Sequence, residues 1–334
     1  MDKLIDIKNL TITDKTNGRV NASDISFELN KGEILGFVGE SGSGKTLSMK
    51  TVVNLLPKNL SFSCDKFEVL CTDYMSISEK DKKKLIGERI GIVPQNTVFY
   101  LHPQFKIKSQ IADGYMLHNK KSKAEGVERA KEMLKEVGFD EPERILEMYP
   151  WQLSGGMRQR VNIAIALMNS PKIIIADEPT TALDSTLQAQ VLDLFKEINE
   201  KSGVSVVMIS HDLGVIKKYC HRIAVMYAGQ ILESAPSEEL FDNPMHPYTK
   251  ALISVIPSLN IKKDERLMEI PGFVPEKNRE RRECIFKDRC NEVCDLCDND
   301  VVSETKKSQG YLRGRFTAKI TPENIKHQAI MSCR

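Results

Sequence analysis

The sequence predicts an α/β fold built on a parallel sheet, and three observations carry that expectation. Ile173-Ile174-Ile175-Ala176 and Val204-Ser205-Val206-Val207-Met208-Ile209 are apolar and β-rich, as strands buried on both faces require. Between them Leu187, Val191, Leu192, Phe195 and Ile198 recur at helical spacing, and strands alternating with helices imply a parallel sheet. Third, Gly39-Glu40-Ser41-Gly42-Ser43-Gly44-Lys45-Thr46 fits the phosphate-loop pattern G-x-x-x-x-G-K-[ST] at every fixed position. The apolar run Ile34-Leu35-Gly36-Phe37-Val38 precedes it, and Leu47, Val52, Val53, Leu55 and Leu56 follow at roughly helical spacing. In such a loop, glycines let successive N–H groups turn inward at a helix N-terminus and form an anion nest. Lys45 then reaches the β- and γ-phosphates and the Thr46 hydroxyl binds Mg²⁺, so the expected ligand is a nucleoside triphosphate.

Taken in order, the first thirty residues read as a β-meander. Leu4, Ile5, Ile7, Leu10 and Ile12 form one apolar patch, Asn17-Gly18 turns the chain, and Ile25, Phe27 and Leu29 alternate with polar residues. Residues 62–70 predict one short strand, 78–88 a charged helix, and Ile90-Gly91-Ile92-Val93 a buried strand before Pro94-Gln95. Over 100–150 the character changes. Val127, Ala130, Met133, Leu134 and Val137 share one helical face, Gly138 ends that helix, and the stretch predicts a helical insert. Arg222–Tyr227 and Gln230–Leu232, separated by Ala228-Gly229, predict a hairpin. Beyond about residue 236 prolines recur, 276–283 is almost wholly charged, and a small C-terminal module is expected.

Composition narrows the function. With 334 residues, 48 basic against 46 acidic and a net charge of +2, the chain lacks the basic excess of bulk nucleic-acid binders. No apolar run approaches the roughly 18 residues of a membrane span, and Met1-Asp2-Lys3-Leu4 is no secretory signal. A soluble, cytosolic protein is expected, one that can still dock on a membrane protein. Its eight cysteines are then poor candidates for disulfides. Cys64, Cys71 and Cys220 are scattered, but four others crowd between 284 and 297.

The apolar strand at Ile173 ends in Asp177-Glu178, the acidic pair a phosphate loop needs: Asp177 to hold Mg²⁺ and Glu178 to polarise the attacking water. Leu153-Ser154-Gly155-Gly156-Met157-Arg158-Gln159-Arg160 then resembles the signature sequence of ATP-binding-cassette (ABC) ATPases. A serine hydroxyl, glycine amides and a helix dipole can bind a γ-phosphate from its far side. The resemblance covers roughly residues 4–235. It implies a P-loop NTPase with an antiparallel β subdomain, a helical subdomain at about 96–165, and a dimer that sandwiches two nucleotides between subunits. It further implies that Gln95 senses Mg²⁺ and the attacking water, that Thr181-Ala182-Leu183-Asp184 crosses the dimer interface, and that His211 contacts the γ-phosphate. Ser154, Gly155, Gly156, Gln159 and Asp184 thereby join the expected nucleotide contacts. One departure stands out. Where the family stacks an aromatic on adenine, Thr11–Thr16 offers none, and Asp14 occupies the position. That removes stacking of about 1 kcal/mol and implies weaker base selectivity and ATP affinity, with Val20 the substitute packing surface.

Glu40-Ser41-Gly42-Ser43, the run Ala176–Asp184 and His246-Pro247-Tyr248-Thr249-Lys250-Ala251-Leu252 resemble the oligopeptide, dipeptide and nickel importers of this family. Ile270–Pro275 followed by Cys284-Ile285-Phe286-Lys287-Asp288-Arg289-Cys290 is similar to the C-terminal extension of the peptide importers, here 236–334. That extension implies cysteines spaced C-x5-C-x6-C with a fourth further on: Cys284, Cys290, Cys297 and Cys333, with Cys294 a substitute ligand. Four thiolates suit a [4Fe–4S] cluster or zinc, and the resemblance favours iron–sulfur. An apparent insertion through 305–320 precedes Cys333. The function so implied is the ATPase subunit of a peptide importer at the cytoplasmic face of the membrane. Its partners would be a homologous ATPase, two permease subunits and, through them, a solute-binding protein. A nickel or metallophore importer is the alternative within the class. A soluble ABC ATPase acting on ribosomes or DNA is the alternative outside it, and a redox- or iron-sensing extension is a third.

Overall fold

The computed structural model describes residues 2–95, 100–181, 183–256, 270–274, 284–293, 297, 303–307 and 310–314. The chain opens with two long antiparallel strands, β1 (Lys3–Asp14) and β2 (Val20–Asn30), joined across the expected Asn17-Gly18 turn. β3 (Ile34–Val38) follows, buried along its whole length, and feeds the phosphate loop and helix α1 (Lys45–Val52). The single strand expected over 62–70 is instead a pair, β4 (Leu60–Ser63) and β5 (Lys66–Val69), both antiparallel to β1. Cys64 and Asp65 separate them, and the Asp65 N–H donates to the Lys8 carbonyl at 3.0 Å. β6 (Thr72–Asp73) completes this antiparallel sheet, and the charged helix α2 (Glu79–Arg89), capped by Ser78, leads into β7 (Ile90–Val93).

The helical insert consists of α3 (Ile107–Asn119), α4 (Lys123–Glu136), α5 (Pro142–Glu147), a short 3-10 helix Pro150–Gln152 and α6 (Gly155–Leu167). α4 starts with a reciprocal capping box. The Ser122 N–H donates to Glu125 Oε2 at 2.9 Å and the Glu125 N–H to Ser122 Oγ at 3.3 Å. Its apolar face buries Ala130, Met133 and Leu134 as the periodicity predicted, and Gly138 follows its C-terminus in a left-handed conformation. The chain then alternates through β8 (Ile173–Asp177), α7 (Ser185–Ser202), β9 (Ser205–Ser210), α8 (Leu213–Tyr219) and the hairpin β10 (Arg222–Tyr227) to β11 (Gln230–Pro236). α9 (Ser237–Asp242), α10 (Pro247–Ser254), a 3-10 turn at Lys287–Arg289 and the strands β12 (Ser303–Lys307) and β13 (Gly310–Gly314) make up the described extension. The last two overlap the apparent insertion and form a hairpin that adds to β11.

The main sheet runs in the order β12-β13-β11-β10-β3-β9-β8-β7, with β10, β3, β9, β8 and β7 parallel. Side chains alternate across it with the two-residue period of a strand. Leu35, Phe37, Ile173, Ile175, Val207 and Ile209 point into the core under the antiparallel sheet and α1. Ile34, Val38, Ile174, Ala176, Val206 and Met208 point into the core on the other face. Both faces are therefore covered, which explains the apolar runs that first suggested parallel strands. Leu240, Tyr248, Ile285 and Phe286 share that second core with β3, so the described part of the extension packs directly on the ATPase framework. Among the described residues, no helix is long and apolar enough to cross a membrane.

Candidate active site

Parallel register decides which residues meet. Val38 pairs with Ser210, Ile209 with Asp177, and Ala176 with Val93, so four strands end on one edge of the sheet. The residues that follow these ends are Gly39, His211, Glu178 and Gln95.

The phosphate loop is shaped by glycines that nothing else can replace. Gly39 has φ 147°, and a Cβ there would lie 2.0 Å from the Met226 carbonyl oxygen. Gly44, at φ 99°, sets the N-cap of α1. The Lys45 ammonium donates to the Gly39 carbonyl at 2.7 Å, to the Glu40 carbonyl at 3.0 Å and to Ser43 Oγ at 3.2 Å. It is buried, and desolvation pulls its pKa down against the charges of Glu178, Asp177 and Glu40. A buried cation lying along the loop and opposed by three acids is poised for an anionic ligand.

Thr46 Oγ1 donates to Asp177 Oδ1 at 2.9 Å, tying the start of α1 to the end of β8. Burial raises the Asp177 pKa, the Thr46 hydrogen bond works against that, and the neighbouring Glu178 charge raises it again. A carboxylate whose ionised form is this costly, beside a hydroxyl oxygen, fits a hard divalent cation such as Mg²⁺, which takes oxygen ligands. Glu178 sits at φ 47° with its N–H bonded to the Ile209 carbonyl at 3.0 Å. This left-handed conformation turns its side chain into the site rather than along the strand. Its Oε2 accepts from Gln95 Nε2 at 2.7 Å and from Thr181 Oγ1 at 3.0 Å, and His211 Nδ1 lies 3.4 Å away. Three polar side chains thus converge on one carboxylate oxygen. Such a carboxylate can orient a water molecule once a donor lets go.

The signature segment lies elsewhere on the molecule. Ser154 caps α6, its Oγ accepting from the Met157 N–H at 3.2 Å, and remains exposed with Gly155 half-buried beside it. Gly155 and Gly156 face Leu183 and Leu187, so the signature packs against the segment that leads into α7. Asp184 caps that helix through the Thr186 and Leu187 N–H groups, both at 3.0 Å. Gln159 departs from the expectation. It is buried at 1% exposure: four residues past Gly155 it shares the helix face that Gly155 turns toward Leu183, and it lies on the buried side of α6 with Asn162 and Ile163. Asp14, which stands where an aromatic was expected, accepts from the Thr16 N–H at 2.8 Å and from its hydroxyl at 2.6 Å. It serves the turn between β1 and β2, and Val20 behind it is buried.

Three contacts had no sequence signal. The motif around Thr181 points to the dimer interface and says nothing of its hydrogen bond to Glu178. Tyr248 OH accepts from the Glu40 N–H at 3.1 Å. In the sequence Arg289 is only a neighbour of Cys290, yet its Nη1 and Nη2 donate to Glu40 Oε2 and Oε1 at 2.6 and 3.0 Å. In the cysteine region the Cys284 N–H donates to the Cys297 carbonyl at 3.4 Å, and the Glu292 N–H to Cys290 Sγ at 3.3 Å. Among the described residues no three His, Cys, Asp or Glu side chains gather as a metal site, and Cys294 and Cys333 lie outside them.

Comparisons with known proteins agree with this geometry. The ABC transporter family matches residues 22–181, and the oligopeptide/dipeptide transporter C-terminal region matches 232–297. The chain is 42% identical to the oligopeptide transport ATP-binding protein OppD of Bacillus subtilis (strain 168) over 278 residues, 82% of this chain and 77% of the relative. It is 40% identical to the dipeptide transport ATP-binding protein DppD of Escherichia coli (strain K12) over 273 residues, 82% and 83% of the two chains. Among solved structures it is similar to a dimeric post-hydrolysis state of the ATP-binding cassette MJ0796 bound to ADP and Pi. The TM-score there is 0.59 at 29% identity, over 70% of this chain and 98% of that one. A strand–loop–helix nest, an acidic pair and a remote signature on this fold define an ATP-hydrolysing cassette. The chain belongs to the ABC transporter family, in the branch of ATP-binding proteins that carry the oligopeptide/dipeptide transporter C-terminal region.

Proposed function

We propose that this chain hydrolyses ATP to drive import of di- or oligopeptides, working at the cytoplasmic face of the membrane with a homologous ATPase and two permease subunits. A solute-binding protein would deliver the peptide to those permeases. The observation that carries the ATPase half is the convergence of Lys45, Asp177, Gln95 and His211 around Glu178 at one sheet edge. The peptide-transport roles of OppD and DppD support the peptide half. Residues 1–235 form the nucleotide-binding unit in this reading, with the helical subdomain at about 96–165, and 236–334 the extension. The insert exposes Tyr100, Phe105, Leu117 and Trp151, apolar side chains suited to contact with permease subunits.

In the reaction, the inward N–H groups of Gly39–Thr46 and the Lys45 ammonium hold the phosphates, and His211 contacts the γ-phosphate. Glu178 releases one of its donors and orients the water that attacks phosphorus, with ADP leaving. Thr46, Asp177 and Gln95 would hold Mg²⁺, which would supply positive charge to offset that of the phosphates. Ser154, Gly155, Gly156 and Asp184 serve the nucleotide of the partner subunit; Ser154 and Asp184 are exposed, and the contacts of Gly155 and Gly156 run to Leu183 and Leu187. Gln159 acts there only by shaping α6 from within.

For the extension we propose a [4Fe–4S] cluster on Cys284, Cys290, Cys297 and Cys333, with Cys294 able to replace one ligand. The support is the spacing, the side-by-side Cys284 and Cys297 backbones, and an N–H donated to Cys290 Sγ, a contact suited to a thiolate.

Three measurements test these readings. Glu178→Gln should bind ATP as the wild type does and lose at least about a hundredfold in turnover; full residual hydrolysis would refute the role of Glu178. In proteoliposomes with its permeases and binding protein, the complex should take up radiolabelled dipeptide with ATP consumed; uptake of nickel or a metallophore in its place would overturn the peptide assignment. Anaerobically purified protein should carry iron and labile sulfide, and zinc with no iron would remove the cluster.

A further inference from the structure

Glu40 is an odd residue to find in an anion nest. Its carboxylate stands in the second position of the phosphate loop, where a triphosphate is to bind, and like charges repel. The chain holds this residue at every polar atom. Its N–H donates to Tyr248 OH at 3.1 Å, its carbonyl accepts from Lys45 Nζ at 3.0 Å, and both carboxylate oxygens accept from Arg289 at 2.6 and 3.0 Å. Arg289 is itself buried, at 8% exposure, with its remaining donors spent on the Pro271 carbonyl at 2.7 Å, the Ile270 carbonyl at 3.0 Å and Tyr227 OH at 3.4 Å. Phe286, three residues before it, is wedged edge-on against Tyr227 at 5.2 Å and beside Tyr248. These contacts lock the 3-10 turn of the extension against the framework beneath the loop.

The two-pronged fork of a guanidinium matches a carboxylate and fixes its direction as well as its charge. Arg289 therefore does two things to the loop. It meets the charge of the one acid within it, and it holds that carboxylate in place while the Lys45 ammonium bonds to the Glu40 carbonyl.

We propose that Arg289 is a positioning residue for ATP: the extension sets nucleotide affinity by holding Glu40 out of the phosphate site. This rests on the reading of Gly39–Thr46 as the nucleotide site. A plain docking role for the ion pair would lower thermal stability and leave ATP affinity alone. The test is titration of the assembled complex with a fluorescent ATP analogue and Mg²⁺, for wild type, Arg289→Met, Glu40→Gln and the double variant. Wild-type binding that Lys45→Ala abolishes checks the site itself, separately from the clamp. Arg289→Met should weaken binding about tenfold, with KM for ATP rising alike and kcat within about twofold of wild type, the pattern of lost uniform binding. Because the liability is the freed Glu40 charge, adding Arg289→Met to Glu40→Gln should cost no further affinity. Wild-type affinity in Arg289→Met, or a loss that adds in full to that of Glu40→Gln, would overturn the proposal. Should Arg289→Met melt below the assay temperature, Arg289→Lys decides: it keeps the charge without the fork and should bind about threefold more weakly, and unchanged affinity there overturns the proposal equally.

Discussion

A buried lysine at the start of α1, just past the phosphate loop that follows β3, is the constraint on which the rest of the molecule depends. Lys45 has almost no contact with water, so its charge must be met by protein carbonyls and nearby acids. The carbonyls come from a loop that only glycine can bend, packed against the Met226 carbonyl. The acids come from the end of β8, two strands away in the sheet, and from Glu40 in the loop itself. Burying the sheet on both faces holds these strand ends in register, and so keeps a cation, two acids and a Gln within reach of one another.

Within that frame Glu178 has an unusual share of the polar contacts. Gln95, Thr181 and His211 lie on three different connections, one after β7, one after β8 and one after β9. Each can report a change at its own connection to the same oxygen. A carboxylate held by several donors is quiet, and freeing one of them gives it a lone pair for water.

Much of this was legible in the residues. The phosphate loop, the acidic pair, Gln95 and His211 carry local patterns tied to strand ends, and strand ends are where parallel sheets gather their chemistry. The two-residue period of β3, β8 and β9 and the helical face of α4 were equally plain. Other features had no local signal. Gln159 reads as part of a motif, but helical geometry turns it inward. The split of 60–69 into two strands depends on pairing with β1, a contact far away in sequence. The β12–β13 hairpin is assigned by its pairing with β11 rather than by an apolar pattern of its own. Arg289 and Glu40 are 249 positions apart, and nothing in either neighbourhood announces the other.

The contacts of the signature around Ser154 run to Leu183 and Leu187 at the start of α7. In the proposed dimer one chain would supply the loop of one site and the signature of the other, each completed by a second subunit. Photocleavage by vanadate trapped with ADP in the assembled complex tests this most directly, because the cut marks whatever backbone touches the trapped anion. With Lys45→Ala in this chain, cleavage should vanish from its own phosphate loop and from the partner's signature, while the cut near Ser154 persists. Loss of the Ser154 cut together with the loop cut, and survival of the partner's, would contradict a site shared between subunits.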